Sequence, residues 1–169
     1  MRLIKNPWIG EEGYNCFGCC PSNPYGVKMQ FYEDGQDIVC FWKPQDQYQS
    51  WINTLHGGVQ SVLLDEICGW VVSHFLRASG VTAKMETRFR KPVVIEQRFI
   101  ELRARLRELK RNIAIVDGEI RSADGELLVE CTCTYFTFDA AHAPAEVPCR
   151  PTEVGEDFTR EEIVTTLGV

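Results

Sequence analysis

Between residues 56 and 75 the apolar positions recur at helical spacing. Val59, Val62, Leu63, Ile67, Trp70 and Val71 follow the i, i+3, i+4 rule. Leu64, Cys68 and Val72 widen the arc until little of the helix can face water, and a helix apolar almost all round is a buried one. Gly69 inside it costs about 1 kcal/mol relative to alanine and is read as permitting close backbone packing. Elsewhere the period changes to two. Val27, Met29 and Phe31 alternate over 27–32, Asp34-Gly35 marks a tight turn, and 38–42 returns, which predicts a hairpin. After Ser79-Gly80, four more strands are predicted over 81–90, 98–109, 113–121 and 127–138. In the second of these Ile100, Leu102, Ala104 and Leu106 point inward, while Glu101, Arg103, Arg105 and Arg107 point outward. Ala123-Asp124-Gly125 turns between the last two. One buried helix followed by meandering strands predicts an α+β fold, an antiparallel sheet wrapped around that helix.

The segments between are plainer. Residues 6–26 are rich in Gly, Pro, Asn and Cys and form an irregular entry, and 43–53 is a polar loop. Residues 140–151 are Ala/Pro-rich and linker-like, and Thr159-Arg160-Glu161-Glu162 is a capping box before a short terminal helix. The expected organisation is one domain over 1–138, its entry segment included, and a linker-like tail with a terminal helix over 139–169. No internal repeat is visible.

Composition narrows the function classes. With 169 residues, 44% apolar and 25% charged, the chain is globular and can bury a core without a metal or disulfide staple. Eighteen basic against twenty-four acidic side chains give a net charge of −6, so nucleic acid is not an expected partner. A few local arginines can still hold a small anion. The first residues contain no apolar signal segment, and the stretch from Thr54 to Leu76 carries Asp65 and Glu66 at its middle. No membrane span is therefore expected, a cytoplasmic location is, and the eight cysteines are expected as reduced thiols.

Candidate chemistry gathers on the buried helix. It opens with Leu55-His56-Gly57-Gly58, and a helix start leaves its first N–H groups unpaired and partly positive. Glycines there let a carbonyl or oxyanion approach the bare amides. Asp65 and Glu66 are the helix's two carboxylates, deep in an apolar run where charge is expensive unless paired or functional. On a helical wheel Glu66 falls in the main apolar stripe near Val59 and Trp70, the place of a structural acid bonded to backbone or an arginine. Asp65 falls opposite, between Ser61 and Gly69, and is the functional candidate. Gly58 and Asp65 are separated by about 10 Å of rise and His56 and Asp65 by about 13.5 Å. A catalytic acid must come within about 3 Å of the centre held by the oxyanion donors. One helix cannot supply both, so an active site here needs two copies related by a two-fold axis.

Leu55-His56-Gly57-Gly58-Val59 with Leu63-Leu64-Asp65-Glu66 resembles the signature of hotdog-fold acyl-CoA thioesterases of the phenylacetyl-CoA thioesterase-like branch. Cys16-Phe17-Gly18-Cys19 with Asn23-Pro24-Tyr25-Gly26-Val27 resembles the entry motif of one subgroup. Gly80-Val81-Thr82-Ala83, the strand ending at Pro92, and Asp124-Gly125-Glu126-Leu127 fit as well, so the likeness runs over about 14–138. The resemblance implies a hotdog fold, a homodimer or dimer of dimers, an acyl-CoA substrate and no cofactor. It implies that the Gly58 amide, with His56 and Gly57 in the same turn, polarises the thioester carbonyl. It makes Asp65 the nucleophile or the general base on water, and Thr82 a hydroxyl that orients that water. Where many members carry Asn six residues before the His, this chain has Ser50, and Asn53 is the available substitute. The chain also departs at Cys20, usually glycine, and at Val27, usually leucine. Arg88, Arg90 and Lys91 match cations that meet coenzyme A phosphates in the family.

Two alternatives stay open: a hotdog hydratase or dehydratase, although His74 has no motif around it, and a non-catalytic acyl-CoA binding module. Cys16-x-x-Cys19 has zinc-ligand spacing, and Cys131 and Cys133 share a strand face that could complete a set. Turn and core packing is the expected role of these thiols, and no metal is expected.

Overall fold

The computed structural model describes residues 1–168. The chain runs β1 (Arg2–Lys5), β2 (Tyr32–Asp34), β3 (Asp37–Trp42), α1 (Gly57–Phe75), β4 (Ser79–Phe89), β5 (Ile100–Lys110), β6 (Ile113–Ser122), β7 (Leu127–Phe138), β8 (Glu153–Asp157) and α2 (Arg160–Thr166). The strands form one eight-stranded sheet in the order β4-β7-β6-β5-β3-β2-β1-β8, with every neighbouring pair antiparallel. The sheet wraps around α1, which touches β3 through β7. This is the predicted α+β architecture.

The 19-residue α1 begins where its sequence says it should. His56 is the N-cap, and its Nδ1 accepts from the Gly58 N–H at 2.9 Å. Leu63, Leu64, Ile67 and Val71 are fully buried, each worth roughly 1.5–3 kcal/mol of apolar transfer. Trp70 stacks on Phe31 at 4.6 Å. The expectation that Gly69 permits the close approach is corrected. A Cβ there would sit 3.8 Å from Tyr135 Oη, an ordinary contact. The tight crossing is at Gly118 of β6, where a Cβ would meet Cys68 Sγ at 2.8 Å and Cys131 Sγ at 2.9 Å.

Two features depart from the periodicity. Val27, Met29 and Phe31 are buried as their alternation requires, but regular pairing begins only at Tyr32. The residues before it are an extended strap, tied by Val27 N–H to Phe17 O and Met29 N–H to Gly18 O, both at 2.8 Å. The entry segment occupies the place a partner strand would need. The chain termini also contribute strands the pattern did not predict, with Ile4 of β1 opposite Val154 of β8. Strands of four and five residues are too short to show a period. The capping box at Thr159 and Glu162 is formed, and α2 lays Ile163 and Val164 over Tyr32, Val39, Phe41 and Phe99. Hence β3 is buried on both faces. Among the described residues, no helix is long and apolar enough to cross a membrane.

Candidate active site

Asp65 lies midway along α1, half-buried, and faces the start of β4 and the far end of β7. Thr82 Oγ1 on β4 donates to Asp65 Oδ1 at 2.8 Å. Tyr135 of β7 lies with its Oη 3.0 Å from the same Oδ1 and 2.7 Å from the Asp65 carbonyl oxygen. Burial, with Cys68 and Asp65 close by, drives the Tyr135 phenol well above its usual value, so it remains a donor. Thr82 therefore donates to Oδ1, Tyr135 shares its single hydrogen between Oδ1 and the Asp65 carbonyl oxygen, and Oδ2 is left for another partner. Sequence reasoning brought Asp65 and Thr82 together through the resemblance but missed Tyr135. Its signal was present: a residue with a polar tip continuing the inward alternation of Val129, Cys131 and Cys133 needs a partner inside.

The carboxylate stands on the wall of a cavity of about 300 Å³. Gly69, Trp70 and Ser73 of α1, Gly80 and Thr82 of β4, and Tyr14 and Cys16 of the entry segment also line it, as do Val147 and Pro148 of the tail. Glu66, one residue on, turns toward the entry segment. It accepts from Trp70 Nε1 at 3.1 Å and lies 3.6 Å from Cys16 Sγ, not beside the arginine or backbone donor that the sequence suggested.

The helix start is separate from this cluster. His56 and Gly58 are exposed, and the His56 side chain caps the Gly58 N–H. Among the described residues the Gly57 and Val59 N–H groups have no partner, so the first turn keeps free donors. A Cβ at Gly57 would lie 3.7 Å from the Phe89 ring, which puts the C-terminal end of β4 against the helix start. Asn53 holds a positive φ of 56° and clasps the loop after β4. Its Nδ2 donates to Glu96 Oε2 at 2.9 Å and its Oδ1 accepts from the Glu96 N–H at 3.1 Å.

The cations lie on the outer side. Arg90 pairs with Glu130 at 2.6 Å and Lys91 with Glu126, whereas Arg88 is 3.9 Å from Glu130 and largely exposed. A broader concavity of about 850 Å³ opens on the solvent face of the sheet. Its Arg103 and Arg105 are paired with Asp37, and its Arg107 with Asp117, so it carries little uncompensated charge. His74 is satisfied on both ring nitrogens, by Glu33 Oε2 and Thr152 Oγ1, each at 2.7 Å. The four thiols that could have formed one set are split. Cys131 and Cys133 pack with Cys68 in the core, and Cys16 and Cys19 sit beside Glu66.

Residues 52–129 match the family model of the thioesterase superfamily. Among solved structures, a thioesterase superfamily protein superposes with a TM-score of 0.64 and 23% identity over 69% of this chain, which spans 57% of that protein's length. A hypothetical thioesterase protein from Streptococcus pneumoniae, solved with coenzyme A, gives a TM-score of 0.61 and 20% identity over 66% of this chain and 89% of its own. Further structures of that protein have one aspartate or one threonine replaced by alanine. Zebrafish thioesterase superfamily member 2 gives 0.59 and 23% over 64% of this chain and 81% of its own. No curated protein matches the chain. The likenesses establish a common hotdog fold.

Proposed function

We propose that the chain, whose residues 52–129 match the family model of the thioesterase superfamily, hydrolyses an acyl-CoA thioester to the free acid and coenzyme A. The observation that carries the reading is Asp65, a half-buried carboxylate at mid-helix whose Oδ1 is held by Thr82 and Tyr135 on a cavity wall. A carboxylate kept in so apolar a helix is costly unless it works. That the structurally similar Streptococcus pneumoniae protein was solved with coenzyme A supports the same reading.

In the proposed reaction the thioester carbonyl oxygen is held by first-turn amides of α1 at Gly57 and Gly58, once the exposed His56 side chain swings off the latter. Water sits between Asp65 and the carbonyl carbon. Asp65 Oδ2 takes one of its protons. Thr82, whose hydrogen is given to Asp65, accepts the other through a lone pair and so orients the attack. Collapse of the tetrahedral intermediate expels the coenzyme A thiolate, which takes up the proton held by Asp65 and restores the carboxylate. Direct attack by Oδ2 would use the same carboxylate. Arg88, with Arg90 and Lys91 beside it, is the proposed contact for the coenzyme's phosphates.

Each site would draw on two copies of the chain. Asp65 and Gly58 lie on one continuous helix, about 10 Å apart in rise. β4 forms one edge of the sheet, eleven residues long, with Val81 and Phe89 exposed. A long uncovered edge is a template for pairing. Antiparallel pairing of two β4 edges sets the Thr82 end of one copy against the Phe89 end of the other. The helix start lies at that Phe89 end, so it is carried toward the Asp65 of the first copy.

The test is to incubate the protein with a panel of acyl-CoAs while trapping free thiol. Thiol release is expected, and Asp65→Asn should lower kcat at least about 100-fold with circular dichroism unchanged. Wild-type turnover by that variant would remove Asp65 from the reaction. Loss of enoyl absorbance without thiol release would mark a hydratase, and binding without turnover a carrier module.

A further inference from the structure

The pair Cys16 and Cys19 has no part in this reaction, and neither does Glu66. The entry segment folds so that Cys16 Sγ, Cys19 Sγ and a Glu66 carboxylate oxygen all lie within 4.8 Å of one another. Both Glu66 oxygens are 3.6 Å from Cys16 Sγ. Zinc bonds of roughly 2.3 Å to sulfur and 2.0 Å to oxygen, at a tetrahedral angle, put the two donor atoms about 3.5 Å apart. The Cys16–Glu66 spacing is that of two ligands on a small tetrahedral ion, and Cys19 Sγ lies within 4.8 Å of both.

Three further observations favour a cation at the centre. The Gly18 N–H points at Cys16 Sγ from 3.3 Å, an outer hydrogen bond that stabilises a thiolate. Trp70 Nε1 holds Glu66 Oε1 at 3.1 Å, the kind of support that ligating carboxylates receive. Among the described residues no Lys, Arg or His forms an ion pair with Glu66, although it is half-buried against two thiols. Residue 18 must also be glycine for the carboxylate to reach the loop, because a Cβ there would overlap the Glu66 carboxyl. The other thiol group, Cys68 with Cys131 and Cys133, has none of this. It is buried in the core, contains no carboxylate and packs sulfur on sulfur at 3.8–3.9 Å.

We propose that Cys16, Cys19 and Glu66 bind one zinc ion that clamps the entry segment onto α1. Thiolate and carboxylate donors in a tetrahedral arrangement suit zinc among the common divalent ions. Binding displaces the two thiol protons, so affinity rises with pH. Three protein ligands leave a fourth position, and all three residues line the cavity that Asp65 faces. The site stands on its own residues and does not depend on the thioesterase reading.

The test uses the whole chain, reduced and stripped of metal, titrated with zinc against a chromophoric chelator and separately with cobalt. One zinc per chain is expected. Cobalt should give a thiolate charge-transfer band together with the visible bands of a tetrahedral ion. Cys16→Ser and Glu66→Gln should each weaken zinc binding at least about tenfold, and Cys68→Ala should leave it unchanged. Glu66→Gln keeps both thiols and nearly the same shape, so it reads the site even where Cys16→Ser fails to fold. Absence of stoichiometric zinc in the reduced wild type overturns the proposal. So does zinc that survives Glu66→Gln but is lost in Cys68→Ala.

Discussion

Asp65 and Glu66 are sequence neighbours with the same functional group, and about 100° of helix rotation gives them different surroundings. Asp65 meets two hydroxyl donors from the sheet, while Glu66 meets an indole and two thiols from the helix and the entry segment. Tyr135 sits opposite Thr82 across β4 and β7 and hydrogen-bonds Asp65, so in the proposed reaction it is a positioning residue. Tyr135→Phe removes one donor to a charged acceptor, worth about 1.5–3 kcal/mol in general. Part of that is recovered by water in a half-open cavity, so kcat should fall about tenfold with KM nearly unchanged. Steady-state kinetics on the best acyl-CoA checks this. A raised KM at constant kcat would instead place the phenol against the substrate.

Strand β3 shows what an element gains from being covered twice. Ile38, Cys40 and Trp42 join the α1 core, while Val39 and Phe41 lie under α2. At its start Asp37 is nearly buried between Arg103 and Arg105 of β5. Burial opposes its ionisation, but hydrogen bonds from Arg105 and Arg103 outweigh that and hold the carboxyl below its ordinary value. The unfolded carboxyl titrates at about 3.9. The stabilisation is therefore complete above that pH and is lost as pH falls through the lower folded value. Asp37→Asn should cost about 2 kcal/mol at pH 7 and progressively less below about pH 4. Urea midpoints across that range measure it, and a cost independent of pH would assign the effect to packing alone.

At the scale of the whole molecule the proposed reaction requires two copies of the chain, because Gly58 and Asp65 lie about 10 Å apart in rise on one helix. Gly58→Pro removes the proposed donor, and the loss of one such donor costs about 10²–10³ in rate. Circular dichroism must show that α1 survives. When Asp65→Asn and Gly58→Pro chains are denatured together and refolded, about half of the dimers should be mixed. Each mixed dimer then holds one site with both defects and one with neither, so activity should return to about a quarter of wild type. A mixture that contains mixed dimers yet stays inactive would confine the site to one chain.

Much of this architecture was legible along the chain because it is encoded over short spans. The 3.6-residue period of α1, the alternation of β5 and the capping box at Thr159 each need only a few neighbouring residues to be read. The placing of Asp65 and Glu66 on different sides of α1 follows from the same arithmetic, and so does the gap between Asp65 and the helix start. Thr82 came into view through its motif. Tertiary structure decided the rest. It joined β1 to β8 from opposite ends of the chain, brought Tyr135 to Asp65 across 70 residues, and divided the thiols between the core and the entry segment. Such pairings depend on which surfaces meet after the sheet has closed on α1. No local period carries that information, because the partners become neighbours only when the apolar faces between them are buried.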